Sequence, residues 1–240
     1  MNESKKRVFI VDDHPMVRER LASLINEELD METCGQAEDT QSALELIRQT
    51  NPDLVIIDLT LRGSSGMDLM KQLKDHRVKV GILIISMHEE SLYAERALRA
   101  GAHGYVTKHE CSDEIATAIR KVVAGEIYLP QQMISHVLKG MTRWGRSSRN
   151  SIDLLADREM EVFNLTGRGL STKEIADMLG VDAATVFTYR ARIKLKMGIR
   201  SGRELLYVAT KWVSGNEVSH DPPFETQRPP PVNQERKSKK

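Results

Sequence analysis

Four short apolar runs in this 240-residue chain each end in a residue able to handle a phosphoryl group or a cation. Arg7-Val8-Phe9-Ile10-Val11 leads into Asp12-Asp13, and Leu54-Val55-Ile56-Ile57 into Asp58. The run from Val80 to Ile85 leads into Ser86, and Tyr105-Val106 into Thr107-Lys108. Three carboxylates gathered at one place repel, and one of them loses acidity sharply unless a cation offsets the charge. A hard divalent ion such as Mg²⁺ suits that role, because it takes one or two carboxylates, waters and a phosphate oxygen. Lys108 supplies a compact positive charge and Ser86 a hydroxyl donor, both suited to a phosphoryl group. Asp58 then stands as the nucleophile that accepts the group as an acyl phosphate. Singly, each residue has an ordinary explanation: Asp58 as a turn residue, Asp12 as a helix cap before Pro15, Lys108 as a solvated lysine. Their coincidence at four run ends favours the chemistry.

The elements that position them follow from periodicity. Leu54 to Ile57 is short, unalternating and rich in β-branched residues, which predicts a strand buried on both faces of a parallel sheet. Strand-like runs at about 7–11, 31–37, 53–58, 80–86 and 101–108 alternate with helical spacing over 14–29, 40–49, 67–74, 91–99 and 112–124. Five such alternations predict an α/β fold, a doubly wound five-stranded parallel sheet, whose ligands sit outside the carboxyl ends of the strands. Another helix is expected from Leu129 to about Met141. The polar, basic stretch 140–151 reads as a linker. Beyond it the pattern is all helix, over 157–166, 171–179, 183–197 and 201–214. The expected division is a first domain over 5–125, a linker helix and linker over 126–152, a helical domain over 153–214, and a proline-rich, disordered tail over 215–240.

Charge separates the two modules. Residues 1–140 carry 17 Lys+Arg against 22 Asp+Glu, whereas residues 141–240 carry 18 against 12. An acidic half followed by a basic half predicts a polyanionic partner for the second. Cys34 and Cys111 have no metal-ligand spacing, and no signal-peptide core or membrane-length apolar run is present, so a cytoplasmic, reducing location is expected. The seven histidines are scattered and read as solvated or packed side chains.

In the basic half, Ser171 with Glu174 three residues on makes a capping-box signature, and Gly180 suits a helix C-terminus. Asp182 then opens a second helix as its N-cap. Helix, short glycine-containing turn, helix is the helix-turn-helix pattern, although an ordinary helical hairpin shares it. Arg190, Arg192, Lys194 and Lys196 on the second helix favour a duplex DNA partner. By helical spacing Val186, Tyr189, Ile193 and Met197 face inward, and Ala184, Thr188, Ala191 and Leu195 outward, flanked by Phe187 and Arg192. Thr188, Arg192 and apolar contacts with thymine methyls are the candidates for base readout, with Arg190, Lys194 and Lys196 on phosphates. Phe187 reads equally well as a DNA contact or as a packed residue.

The motifs Val11-Asp12-Asp13-His14, Ile56-Ile57-Asp58-Leu59-Thr60-Leu61, Ile84-Ile85-Ser86-Met87 and Gly101 to Lys108 resemble the receiver domain of bacterial two-component response regulators over about residues 5–125. The resemblance implies that Asp58 is the phosphoacceptor. It implies Mg²⁺ bound directly by Asp13 and Asp58, through water by Asp12, and by the Thr60 backbone carbonyl. It gives Lys108 a salt-bridging role and makes Ser86 and Tyr105 the switch residues. Arg62 departs from the family, which often has proline there.

Ala156 to Met197 is similar to the output domain of the NarL/FixJ, or LuxR-type, regulators. Arg158-Glu159-Met160-Glu161-Val162 matches the opening helix, Lys173-Glu174-Ile175-Ala176 the scaffold helix, and Thr185-Val186 the start of the recognition helix. Relatives often carry Lys or another polar residue where Phe187 and Ala191 stand. The resemblance implies a DNA-binding transcription regulator rather than an enzyme, phosphorylated by a sensor histidine kinase and acting as a homodimer when phosphorylated. Lys173 joins the expected DNA contacts. Leu205, Leu206, Ala209 and Trp212 of the last helix are expected at the dimer contact. The alternative is a receiver-controlled adaptor that binds protein rather than DNA, and salt-sensitive duplex binding separates the two. A flavodoxin-like enzyme would need a phosphate-cradling loop after the first strand, where Asp12-Asp13 stand.

Overall fold

A computed structural model describes residues 4–87, 91–110, 112–143 and 151–214. The expected tail, most of the expected linker and Cys111 lie outside the described residues. Strands β1 (Lys6–Val11), β2 (Met31–Ala37) and β3 (Leu54–Asp58) alternate with helices α1 (Pro15–Glu27) and α2 (Thr40–Thr50). A two-residue hairpin follows, β4 (Thr60–Leu61) with β5 (Ser64–Ser65), then α3 (Gly66–Asp75), β6 (Gly81–Ser86), α4 (Ser91–Ala100), β7 (Gly104–Thr107) and α5 (Ser112–Val123). The five long strands form one parallel sheet in the order β2-β1-β3-β6-β7.

The period of two along each strand divides the core into two faces. Val8, Ile10, Leu54, Ile56, Leu83, Ile85 and Val106 share a buried cluster with Leu21 and Ile25 of α1 and with Ile115 and Ile119 of α5. The alternate residues Phe9, Val11, Val55, Ile57, Ile84 and Tyr105 join Ala43 and Ile47 of α2, Leu69 and Leu73 of α3, and Ala94 and Ala97 of α4. All five residues of β3 are buried, as expected of a central strand covered by helices on both sides.

Helix α6 (Gln131–Arg143) packs along α4 with Met133 and Val137 buried. A 3₁₀ turn (Ser151–Leu154), which straddles the expected boundary between linker and helical domain at 152/153, leads into α7 (Asp157–Gly167), α8 (Thr172–Leu179), α9 (Ala183–Met197) and α10 (Gly202–Val213). Helix α7 is enclosed by its neighbours from Glu159 to Gly167. At Gly167 a Cβ would lie 2.4 Å from the Ala209 carbonyl, so glycine lets α7 and α10 meet backbone to backbone. No helix among the described residues is long and apolar enough to cross a membrane.

Candidate functional site

The parallel register carries Asp12, Asp58, Ser86 and Thr107-Lys108 to one edge of the sheet. Val11 pairs with Ile57, Asp58 with Ile85, and Ser86 with Thr107. Asp12 is fully buried and Asp58 is 3% exposed. Lys108 Nζ lies 2.7 Å from Asp12 Oδ2 and 2.7 Å from Asp58 Oδ2, bridging the two carboxylates. The Thr60 amide donates to Asp58 Oδ1 at 3.3 Å and the His14 amide to Asp12 Oδ1 at 2.8 Å. Burial pushes the Asp58 carboxyl up to about 7, against the pull of Lys108 and with Asp12 adding to the rise. Burial alone would depress Lys108, but the charges of Asp58 and Asp12 hold its ammonium above its ordinary range.

Asp12, Asp13, His14 and Asp58 each offer a ligand atom, and these atoms lie within 4.8 Å of one another. Three carboxylates face one ammonium here, so the cluster has surplus negative charge and a hard oxygen donor set that fits a divalent cation. His14 Nδ1 stands 2.7 Å from Asp13 Oδ1. His14 is solvated, as its scattered placement predicts, with its side chain 66% exposed, and it stands at the rim of the acidic cluster. Its position directly after the aspartate pair is the signal that the general search for histidine spacing passes over.

The loop behind Asp58 is held tightly. Ser65 caps α3 by accepting from the Met67 amide at 3.2 Å, and Asp68 returns a bond from the Ser65 amide at 3.3 Å. At Gly66 a Cβ would lie 2.2 Å from the Asp58 carbonyl, so only glycine lets the chain pass directly under Asp58. Ser86 and Tyr105 are both fully buried. Tyr105 belongs to the same apolar cluster as Tyr93 of α4 and Met133 and Val137 of α6.

That loop also touches the helical domain, which the sequence does not announce. The Arg158 guanidinium donates to the Leu61 carbonyl at 2.8 Å and to the Ser64 carbonyl, and it pairs with Glu161 at 2.5 Å. The Gly63 amide donates to the Leu179 carbonyl at 2.9 Å. The Arg62 stem lies against Gly180, whose φ of +64° is the left-handed turn between α8 and α9. From α4, Arg96 donates to the carbonyls of Ile152 and Leu155 and pairs with Asp157 at 3.2 Å, and the Tyr93 hydroxyl donates to the Met160 carbonyl. Glu161 is 2% exposed, and burial pushes its carboxyl up to about 7 despite Arg158 beside it.

In the helical domain the Ser171 and Glu174 capping box forms at 3.3 and 2.8 Å, and Asp182 accepts from the Thr185 amide at 2.5 Å. Helix α9 turns Val186, Ile193 and Met197 inward and leaves Ala184, Thr188, Ala191, Arg192 and Leu195 exposed. Phe187 is 62% exposed, so the packed reading of this residue is set aside. Lys173 is exposed and Lys194 half-buried. Arg190 points into the domain, donating to the hydroxyls of Thr166 and Thr172 at 3.3 and 2.7 Å and to the Leu170 carbonyl at 3.4 Å. Lys196 pairs with the buried Glu159 at 2.6 Å. On α10 the expected partner contact is corrected in part. Leu205 and Ala209 are buried within their own domain and Trp212 packs 5.8 Å from Phe163, while Leu206 and Tyr207 remain exposed.

This pairing of an acidic strand-end pocket with a capped helix-turn-helix defines a two-module signalling regulator. Residues 8–120 match the response regulator receiver domain, and residues 153–209 match the bacterial regulatory proteins of the luxR family. The chain belongs to the NarL/FixJ-type two-component response regulators, in which a receiver precedes a LuxR-type DNA-binding domain. It is 32% identical over 199 residues to the Fimbriae Z protein of Salmonella typhimurium, covering 83% of this chain and 93% of that one. It is 31% identical over 205 residues to the virulence-factor regulator BvgA of Bordetella pertussis, covering 85% and 97%. A solved structure of RcsB from Salmonella enterica serovar Typhimurium, bound to a promoter in the presence of phosphomimetic BeF₃⁻, shares the fold. Its TM-score is 0.58 at 21% identity, over 87% of this chain and 100% of that one. The protein is therefore a transcription regulator rather than an enzyme, and the family favours DNA over the adaptor's protein partner.

Proposed function

We propose that Asp58 accepts a phosphoryl group from a sensor histidine kinase in the cytoplasm, and that this controls homodimer formation and promoter binding through α9. The observation that carries the reading is the cluster of Asp12, Asp13 and Asp58, with the Lys108 ammonium set between Asp12 and Asp58. Asp13, Asp58 and the Thr60 carbonyl would hold Mg²⁺ directly, with Asp12 reaching it through water. When bound, that ion offsets the charge that builds up between the acceptor and the incoming phosphoryl group.

In the transfer a carboxylate oxygen of Asp58 forms a bond to phosphorus, while the donor's phosphorus–nitrogen bond breaks and its electron pair returns to the leaving imidazole. Lys108, already 2.7 Å from Asp58, turns its ammonium to the new phosphoryl oxygens. Ser86 donates its hydroxyl to the same group, and Tyr105 shifts with it to remodel the face formed by α4 and β7. On the DNA side, Lys173 and Lys194 supply phosphate contacts, and Arg192, expected from sequence to read bases, is assigned to a phosphate from its place at the edge of the exposed face. In this arrangement Arg190 ties α7, α8 and α9 together, and Lys196 is shared with Glu159. The promoter complex of RcsB supports a duplex DNA partner for the same fold.

Incubation with a small-molecule phosphodonor and Mg²⁺ tests the reading. Intact-mass measurement should show one added phosphoryl group on the wild type and none on Asp58→Ala. Equal uptake by both proteins would remove Asp58 from the role.

A further inference from the structure

Apart from Arg192 at its edge, the outer face of α9 offers bases little to hydrogen-bond with. Phe187, Ala184, Ala191, Leu195 and Thr188 form one strip along the helix, and all five are exposed. Phe187 keeps 62% and Leu195 84% of its surface in water. The Thr188 hydroxyl donates back to the Ala184 carbonyl at 3.0 Å, which spends its proton inside the helix and leaves its methyl available. The Arg190 guanidinium, at the middle of the helix, is held inward by Thr166, Thr172 and Leu170. Arg192 and Lys194 flank the strip on opposite sides.

A guanine edge is read by Arg or Lys, an adenine edge by Asn or Gln, and a cytosine edge by Glu or Asp. None of those residue types stands on the strip. What an apolar strip can recognise in the major groove is the C5-methyl group, which thymine carries and the other standard bases lack. We propose that α9 reads its site chiefly through thymine methyl groups, with Phe187 as the principal specificity-determining residue. The inference rests on the DNA-binding reading above. The flanking cations Arg192 and Lys194, with exposed Lys173 on the preceding helix, favour a polyanion over a protein, whose interface cores are depleted of charge. They hold the helix on the two phosphate backbones while Phe187, Ala184 and Ala191 meet the methyls between them.

The test uses full-length protein and an operator that it selects from genomic fragments in the presence of phosphodonor and Mg²⁺. The operator is resynthesised with deoxyuridine at each thymine in turn, which removes the methyl and nothing else. Wild type should bind about fourfold more weakly at the positions read, the worth of one buried carbon of this size. At those positions 5-methylcytosine should replace thymine better than cytosine does. Phe187→Ala removes an exposed side chain, so its melting curve should match the wild type. It should lose the preference for thymine over deoxyuridine at the position Phe187 reads while keeping the wild-type salt dependence. Indifference of the wild type to every deoxyuridine, or an unchanged thymine preference in Phe187→Ala, would overturn the proposal while leaving DNA binding intact. Absence of salt-dependent duplex binding altogether would overturn the DNA-binding reading and this one with it.

Discussion

Lys108 carries the electrostatics of the receiver site. Among the described residues it is the one cation set between Asp12 and Asp58, and its side chain is 8% exposed. Breaking a buried ion pair by deleting one partner costs about 3–5 kcal/mol, because the remaining charge is left buried and unpaired. Lys108→Ala should therefore lose about that much unfolding stability in urea titrations. Added Mg²⁺ should return more of it to the variant than it adds to the wild type. Equal Mg²⁺ effects on both proteins would contradict the shared role of ammonium and metal. Glu161 provides a second residue-scale prediction. Its folded-state carboxyl is raised from 4.5 to about 7, so the folded protein holds that proton more tightly than the unfolded chain. The associated stability is complete below about pH 4.5 and is lost as pH rises through about 7, amounting to about 3 kcal/mol in full. Between pH 5 and 8 the wild type should lose more stability than Glu161→Gln, and parallel curves would contradict the assignment. Asp58, Lys108 and Ser86 were legible in the sequence because each closes an apolar run. Glu161 was not, because an acidic residue beside Asp157 and Glu159 reads as a solvated helix face until its neighbours are placed around it.

At the scale of elements, the long strands and helices follow their sequence periods to within a few residues, and the caps at Ser171 and Asp182 form as the residue types dictate. The β4–β5 hairpin escaped, since two-residue strands are too short to show a period of two. The 3₁₀ turn at Ser151–Leu154 escaped because its surroundings are polar and basic. That hairpin is, with α4, one of the elements through which the two modules meet, and the atoms it presents to Arg158 are backbone carbonyls, which leave no mark on a sequence. Lysine keeps the charge of arginine but not its planar fork, so Arg158→Lys should loosen the hairpin without emptying the site of charge. Hydrogen exchange at the Gly63 amide, bonded to the Leu179 carbonyl, should then accelerate while amides of β1 and β3 keep their wild-type rates. Unchanged exchange at Gly63 would show that Arg158 does not hold this contact. Gly180→Ala acts on the same junction from the other side. Its φ of +64° disfavours a side chain and a Cβ there would collide with the Arg62 stem, so a loss of about 1 kcal/mol or more is expected in thermal unfolding.

For the whole molecule, the division into an acidic and a basic half was visible in charge alone, but the docking of the halves was not. The structure joins the loop behind Asp58 to the opening helix and the turn of the DNA-binding domain, and α4 to the segment before that helix. A change at Asp58 that moves the loop must therefore also change the energy of the docked arrangement. By linkage, whatever favours the undocked form at one end favours it at the other. The most direct measurement is the affinity of the full-length protein for its selected operator, titrated by fluorescence anisotropy with and without phosphodonor and Mg²⁺, for wild type and Asp58→Ala. Phosphodonor should tighten wild-type binding by roughly tenfold, within the usual span of allosteric coupling, and leave Asp58→Ala unchanged. Equal wild-type affinity in both conditions would contradict the claim that the acidic pocket governs the DNA-reading helix.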